Sequence, residues 1–336
     1  MWQYTLLLFI KFKMDVEIYV NKGYKYRDKQ IFCNRKQYCA IREEMSKMHI
    51  VDNAVIMAAG TSSRFAPLSY EKPKALIEVR GEILIERQIR QLQEAGIPEI
   101  YIVTGYKAEH FTYLQEKFGV KLIHNPHYLT RNNNASIYMV RDILKNSYIC
   151  SADNYFSENP FERTVSECYY AAVYAKGETK EWCMETDAQN RIRKVTIGGE
   201  NAWYMLGHAF WDETFSSRFV QILEAEYHLP ETENLLWESI FTNHLEELDM
   251  KIRKYPEEMI FEFDTLDELR VFDESYLGDT RSRILKAVAS QIGCTEQDIM
   301  NVTAYKDVNN EAAGFHFTCA GTAYSYGYAD GELRRN

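Results

Sequence analysis

The chain has 336 residues, 46% hydrophobic and 26% charged, an ordinary globular composition with length for about two domains, which excludes disordered and collagen-like chains. Its 39 Lys and Arg against 49 Asp and Glu leave a net charge of −10 with no long basic run, so nucleic acid is not an expected partner. Seven cysteines without a C-x-x-C pair suit buried reduced thiols better than a disulfide framework or a zinc site.

Residues 1 to about 50 are rich in Lys, Arg and Tyr and lack a clean period, although Ala40 to Met48 suits a short helix; they form an appendage of unassigned role. The apolar run Leu6 to Ile10 is far shorter than the roughly 20 residues needed to cross a bilayer. Its flanks supply neither the basic n-region nor the cleavage site of a secretory signal, so a cytoplasmic protein with no membrane contact is expected. From Asn53 the pattern changes. Ala54 to Ala58 has the form of a strand buried on both faces and runs into Gly60. Ile85, Ile89 and Leu92 keep helical spacing, closed by Gly96 and Pro98. Then come a strand over Ile100 to Thr104, a helix carrying Phe111, Leu114 and Phe118, a strand over Val120 to Ile123, a helix over Ile137 to Leu144 and a strand over Tyr148 to Ala152. This alternation predicts an α/β fold: a Rossmann-like mixed, mostly parallel sheet with helices on both faces.

After Asp153 an insertion of about residues 160–250 is expected on the sheet's carboxyl edge, with β segments over Tyr169 to Tyr174, Ile192 to Ile197 and Tyr204 to Phe210, then helices over Phe215 to Tyr227 and Leu235 to Leu245. Met250 to Tyr255 and Ile260 to Phe263 read as returning strands, Leu266 to Phe272 as a closing helix, and the domain as 53–275. Residues 279–330 read as a small α+β unit. Thr280 is its expected N-cap for a helix through Ile292, Gly293 the stop, Thr295 with Asp298 a capping box, and Ala320-Gly321-Thr322 the turn of a hairpin.

The chemistry concentrates in Ala58-Ala59-Gly60-Thr61-Ser62-Ser63-Arg64, followed by Pro73-Lys74-Ala75-Leu76. A small-residue loop leaving a buried strand lets backbone N–H groups approach phosphate oxygens, and three hydroxyls add donors. Arg64 and Lys74 bring two cations to charge that shifts onto a leaving pyrophosphate. The loop is neither a dinucleotide G-x-G-x-x-G nor a P-loop. It resembles the signature of nucleotidyltransferases that join a nucleoside triphosphate to a phosphorylated sugar or alcohol, with Ser62 where many members carry a second glycine; the resemblance runs from about Asn53 to Asp273.

Within that superfamily the chain is most similar to bacterial CTP:phosphocholine cytidylyltransferases, through Val103-Thr104-Gly105-Tyr106, Asn132 to Tyr138, Ser151 to Tyr155, Glu181-Trp182, Leu236-Trp237-Glu238 and Glu262-Phe263-Asp264-Thr265. The resemblance implies the nucleotide-diphospho-sugar transferase fold and Mg²⁺ on Asp153 and Asp264. It implies catalytic roles for Arg64 and Lys74, and nucleotide binding by Ala58, Ala59, Gly60, Thr61, Ser62, Gly105, Tyr106, Asn133, Asn134 and Ser136. Quaternary ammonium groups are recognised by aromatic faces backed by acids, and Glu181, Trp182, Trp237 and Glu238 align with the choline-site segments. Asp264 also suits a plain helix N-cap, Trp203, Trp211 and Tyr204 suit plain packing, and His208 suits a satisfied core histidine. CTP and phosphocholine are the expected small-molecule partners. A sugar phosphate or another aminoalcohol phosphate as acceptor, and a catalytically silent nucleotide-binding regulator, stay open. The tail resembles the opening of a choline-kinase-like N-lobe without its catalytic lobe, and a homodimer or docking through its hairpin edge is the expectation.

Overall fold

In the computed structural model, residues 6–11, 15–20, 48–308 and 312–336 are described; apart from Met48, the helix expected over Ala40 to Met48 lies outside them. Leu6–Lys11 and Asp15–Val20 pair as an antiparallel hairpin.

Strand β1 (Asn53–Ala58) is central because it is apolar on both sides: Val55 packs into one hydrophobic cluster, Ala54 and Ile56 into the other. Helix α1 (Leu84–Glu94), β2 (Ile100–Thr104), α2 (Tyr113–Phe118), β3 (Lys121–His124), α3 (Asn134–Val140) and β4 (Ser147–Ser151) follow in the expected alternation. Ile85, Ile89 and Leu92 of α1 and Leu114 of α2 cover one face, and Ala135, Ile137 and Val140 of α3 cover the other.

The next strands, β5 (Tyr169–Tyr174), β6 (Glu178–Thr186), β7 (Ile192–Glu200) and β8 (Trp203–Trp211), continue the same sheet instead of lying across its carboxyl edge. The physical reason is the open edge of β4, which β8 covers antiparallel from His208↔Cys150 to Trp211↔Ser147. Strand order is β3-β2-β1-β4-β8-β6-β7, and β5 lies on β8. Helices α4 (Glu213–Glu226) and α5 (Trp237–Asn243) cover this half, and β9 (Lys251–Lys254) returns parallel to β5. The β4-β1-β2-β3 half is parallel and the β8, β6, β7 half antiparallel, so the sheet is mixed more evenly than a mostly parallel one. β6 was illegible as a strand because it faces solvent along most of its length.

After β10 (Ile260–Glu262) and α6 (Leu266–Phe272) comes the C-terminal unit: α7 (Arg283–Ile292) and a four-stranded antiparallel sheet of β11 (Ile299–Lys306), β12 (Ala312–Cys319), β13 (Thr322–Gly327) and β14 (Leu333–Arg335). Ser282, not Thr280, caps α7, accepting from Leu285 N; Thr280 instead donates to Glu296, which bridges the two ends of the α7 segment. Gly293 ends α7 at φ 79°, and the Thr295–Asp298 capping box forms. Ala320 and Gly321 make the two-residue turn, both at positive φ. The hairpin edge expected to want a partner is taken by β14. Leu285, Val288, Phe315 and Phe317 of this unit share one cluster with Phe65, Leu68, Leu266 and Leu269, so tail and catalytic half are built on a common core.

Candidate active site

Parallel strands β1 and β4 are neighbours, and Met57 pairs with Ser151, so both carboxyl ends open at one place. β2 lies on one side of β1 and β4 on the other, the switch point where open α/β sheets bind ligands. A cleft of about 560 Å³ occupies it. Ala58, Ala59, Gly60, Thr61, Ser62, Arg64 and Lys74 line one end, Asn133 and Ser136 another, with Asp153 on the floor. Ser62 sits in the left-handed region (φ 47°, ψ 44°), the conformation the relatives' second glycine would adopt freely.

Lys74 organises the floor. Its side chain is only 4% exposed; Nζ donates to Asp153 Oδ2 at 2.9 Å and lies 3.9 Å from Asp264 Oδ1. Burial opposes its charge, but Asp153, Glu262 and Asp264 outweigh that and raise its pKa above the usual lysine value. Burial likewise opposes the Asp153 charge and is overcome by Lys74, which holds the carboxyl below its usual range. Arg64 reaches across to donate to Asp264 Oδ2 at 2.5 Å. Asp264 is not the cap of α6: Thr265 is, in a full capping box with Glu268, whose carboxylate also accepts from Asp264 N at 2.6 Å. The Asp264 side chain is thereby left for the site.

Asp153 Oδ1 is buried with no hydrogen-bond partner. Beside Asp264 the Asp153 carboxylate brings a hard oxygen donor without a protein partner to the cleft, which fits a divalent cation held by one or two carboxylates and completed by substrate phosphates. No cluster of three or more His, Cys, Asp or Glu among the described residues forms a metal site by itself.

A second cavity of about 210 Å³ opens from the first, sharing Met57, Asn133, Ser151 and Leu236. Trp182, Trp237, Tyr170, Glu238 and Glu262 line it. Tyr170 and Trp237 stack with centroids 5.6 Å apart. Glu238 accepts from Asn133 Nδ2 at 3.1 Å and Tyr170 Oη at 3.2 Å; burial pushes its carboxyl up to about 7 against those two bonds. The charge of Asp153, more than burial, pushes Glu262 up to about 8, since the residue itself is exposed. Two acids that resist ionisation among aromatic faces form a site that gains from an incoming cation.

Five expected residues line neither cavity: Asp264, which meets the cleft only through Arg64 and Lys74, and four that stand behind the walls. Gly105 and Tyr106 do not line the cleft. A Cβ on Gly105 would come within 2.6 Å of Tyr128 Cβ and 2.8 Å of Ala59 O, so the glycine lets the wall residue Tyr128 close on the signature loop, and Tyr106 N donates to Ala59 O. Asn134 is fully buried and donates to the Thr232 and Leu235 carbonyls, anchoring the segment that enters α5. Glu181 stays outside the small cavity: strand neighbours face opposite ways, Trp182 takes the cavity side, and Glu181 feels Asp264 and Arg64. Trp211 is buried in the core cluster, Trp203 and Tyr204 pack beside the two clusters, and His208 is buried against Tyr169 Oη, as their plain packing readings have it. Sequence reasoning missed Tyr170, Glu262, Asn125, Tyr128, Arg131 and Lys306 as lining residues. Arg131 had a signal, a cation abutting the Asn132 to Asn134 run; Tyr170 had none, hidden in an apolar strand.

Residues 54–192 match the MobA-like NTP transferase domain. The chain is 34% identical over 221 residues to a choline-phosphate cytidylyltransferase of Streptococcus pneumoniae, 66% of this chain and 96% of that protein. It is 36% identical over 235 residues to a 2-aminoethylphosphonate cytidylyltransferase of Lancefieldella rimae, 68% of this chain and 95% of that one. The solved structure of the Streptococcus pneumoniae CTP:phosphocholine cytidylyltransferase superposes with a TM-score of 0.65, covering 67% of this chain and 99% of that one. Among the described residues no helix is long and apolar enough to cross a membrane.

Proposed function

This chain belongs to the MobA-like nucleotidyltransferase family that includes the bacterial choline-phosphate and 2-aminoethylphosphonate cytidylyltransferases, and on that premise we propose that it joins CTP to phosphocholine, giving CDP-choline and pyrophosphate. The observation that carries the acceptor is the small cavity: Tyr170, Trp182 and Trp237 with the acids Glu238 and Glu262, opening into the nucleotide cleft at Ser151 and Asn133.

A phosphocholine oxygen attacks the α-phosphorus of CTP in line. The new P–O bond forms as the bond to the β-phosphate bridging oxygen breaks, and pyrophosphate leaves with the electron pair. The attacking oxygen is already anionic near neutral pH, so no proton must move and positioning carries the rate. Lys74, which lines the nucleotide cleft and donates to Asp153, neutralises charge on the α-phosphoryl oxygens; Arg64, on the same cleft, serves the departing phosphates. Asn133 ties the sites together, accepting from Trp237 N at 2.7 Å while donating to Glu238. Asp153 and Asp264 would hold Mg²⁺, which supplies Lewis-acid neutralisation of the triphosphate.

The test is pyrophosphate release with Mg²⁺ for CTP, UTP, ATP and GTP against phosphocholine, phosphoethanolamine, 2-aminoethylphosphonate and glucose-1-phosphate. The expected result is turnover led by CTP with phosphocholine. Preference for 2-aminoethylphosphonate would move the aromatic cavity to a primary ammonium, and preference for the sugar phosphate would overturn the cation reading.

A further inference from the structure

Lys306 belongs to the C-terminal sheet, far beyond the matched transferase domain, yet it lines the nucleotide cleft. Among the described residues it is the one lining residue of that cleft from beyond Leu236. We propose that Lys306 is a phosphate-binding residue of the active site, supplied by the C-terminal unit to the β- and γ-phosphates of the nucleotide and to the pyrophosphate they become; this rests on the nucleotidyl-transfer reading above.

Its place in the cleft is the phosphate end. Strand β11 packs against the turn Ser63–Phe65, which carries Arg64, whereas the opposite wall is built by Asn125 to Asn133, and Lys306 does not line the acceptor cavity. The strand register also shifts between Tyr305 and Lys306, so the regular alternation that would fix the direction of the last side chain of β11 is broken there.

The unit that presents Lys306 is fastened to the loop it serves. The helical turn Leu68–Glu71, just after the signature loop, grips the tail at two adjacent residues. Tyr70 stacks on Tyr328 with centroids 3.7 Å apart and planes 7° from parallel. Glu71 caps α7, accepting from the Ser282 hydroxyl, from Arg283 N at 3.0 Å and from Ile284 N at 3.3 Å. The tail is thereby tied to the turn that directly follows the phosphate loop.

Charge gives the reason for another cation. Within a chain of net charge −10 the cleft is lined by the cations Arg64, Lys74, Arg131 and Lys306 and the carboxylate Asp153, with Asp264 beside Arg64 and Lys74, a balance that still favours a polyphosphate. Lys74 is paired with Asp153 and Arg64 with Asp264, so the two signature cations divide their charge between carboxylates and phosphate. A lysine acts on phosphate as a point charge and needs no fixed fork geometry, which suits the end of a strand.

The experiment uses the full chain with Lys306→Met and Lys306→Arg. Steady-state kinetics give KM for CTP, KM for phosphocholine and the inhibition constant of pyrophosphate, and thermal melts report the fold. Lys306→Met is expected to raise KM for CTP and the pyrophosphate inhibition constant about tenfold, the size of one charge-assisted contact. KM for phosphocholine and the melting temperature should stay within error, and Lys306→Arg should restore most of the loss. Values within twofold of the parent would overturn the proposal, as would CTP and phosphocholine constants that rise together with a falling melting temperature. If the parent turns over no acceptor, calorimetric titration of inorganic pyrophosphate with Mg²⁺ decides: weaker binding by Lys306→Met supports the site, and equal binding or none by the parent overturns it.

Discussion

Glu238 shows how one side chain sets function against stability. Its carboxyl is pushed up to about 7 by burial, while Asn133 and Tyr170 donate to it. In the folded protein it therefore holds a proton that the unfolded chain has released above pH 4.5, and folding stability contributed by that proton is lost as pH rises through 7. A choline cation favours the ionised form, so acceptor binding runs the other way, and KM for phosphocholine should fall between pH 6 and 8. Glu238→Gln should flatten both trends. Urea unfolding at pH 5 and pH 8 is expected to show the variant gaining about 2–3 kcal/mol on the parent between the lower and the higher pH, while its KM for phosphocholine rises at least tenfold and KM for CTP stays unchanged. A parent whose acceptor KM is flat with pH would remove Glu238 from the cation site. The sequence displayed this residue, beside Trp237, because acid and aromatic are chain neighbours. It displayed Glu262 only as part of a segment and Tyr170 not at all, since Glu262 is placed by pairing with Asn154 and Tyr170 by pairing with Ala209 and Ile252, partners far off in sequence.

At the scale of elements, what was legible is what is local. The buried strand into Gly60, the helix spacing of α1, the Thr295 box and the two-residue turn at Ala320-Gly321 are each decided within a few residues, and each forms. What was hidden depends on neighbours distant in sequence: β6 is solvent-facing and polar, and is a strand because β7 and β8 pair with it. The same distinction separates Thr280 from Ser282 as the cap of α7, because Glu71, more than 200 residues earlier, receives the Ser282 hydroxyl and the first backbone N–H groups of the helix. The cap of α6 matters to chemistry. Thr265 and Glu268 fix the start of the helix, and Glu268 also holds Asp264 N, one residue ahead of the cap. Thr265→Ala should cost about 1 kcal/mol of stability, read by urea unfolding. The same change should raise the Mg²⁺ concentration needed for half-maximal activity several-fold, because the Asp264 carboxylate loses its fixed base. Unchanged Mg²⁺ dependence beside the stability loss would mean that Asp264 is placed by Arg64 alone.

Across the whole molecule the catalytic half and the C-terminal unit are one folding problem. Phe315 is fully buried in a cluster that runs from Phe65 of the signature turn through Leu266 and Leu269 to Leu285 and Phe317. The sequence read residues 279–330 as a unit of their own because its helix and hairpin are locally complete; the shared core is a property of three-dimensional packing that no local pattern carries. A consequence can be measured because every tryptophan lies at or before Trp237, so tryptophan fluorescence reports on the region outside the tail. Phe315→Ala removes a buried aromatic ring at a cost of about 3–5 kcal/mol. With a shared core, the tryptophan transition in urea should move to lower concentration together with the far-UV circular dichroism transition, and both should remain single. An independent tail would leave the tryptophan transition in place while a separate, earlier step appears in the dichroism. The kinetics follow the same logic: because β11 lies on the turn that carries Arg64, loosening the tail core should raise KM for CTP before global unfolding begins and spare KM for phosphocholine, whose cavity is lined from the opposite side of the sheet switch point.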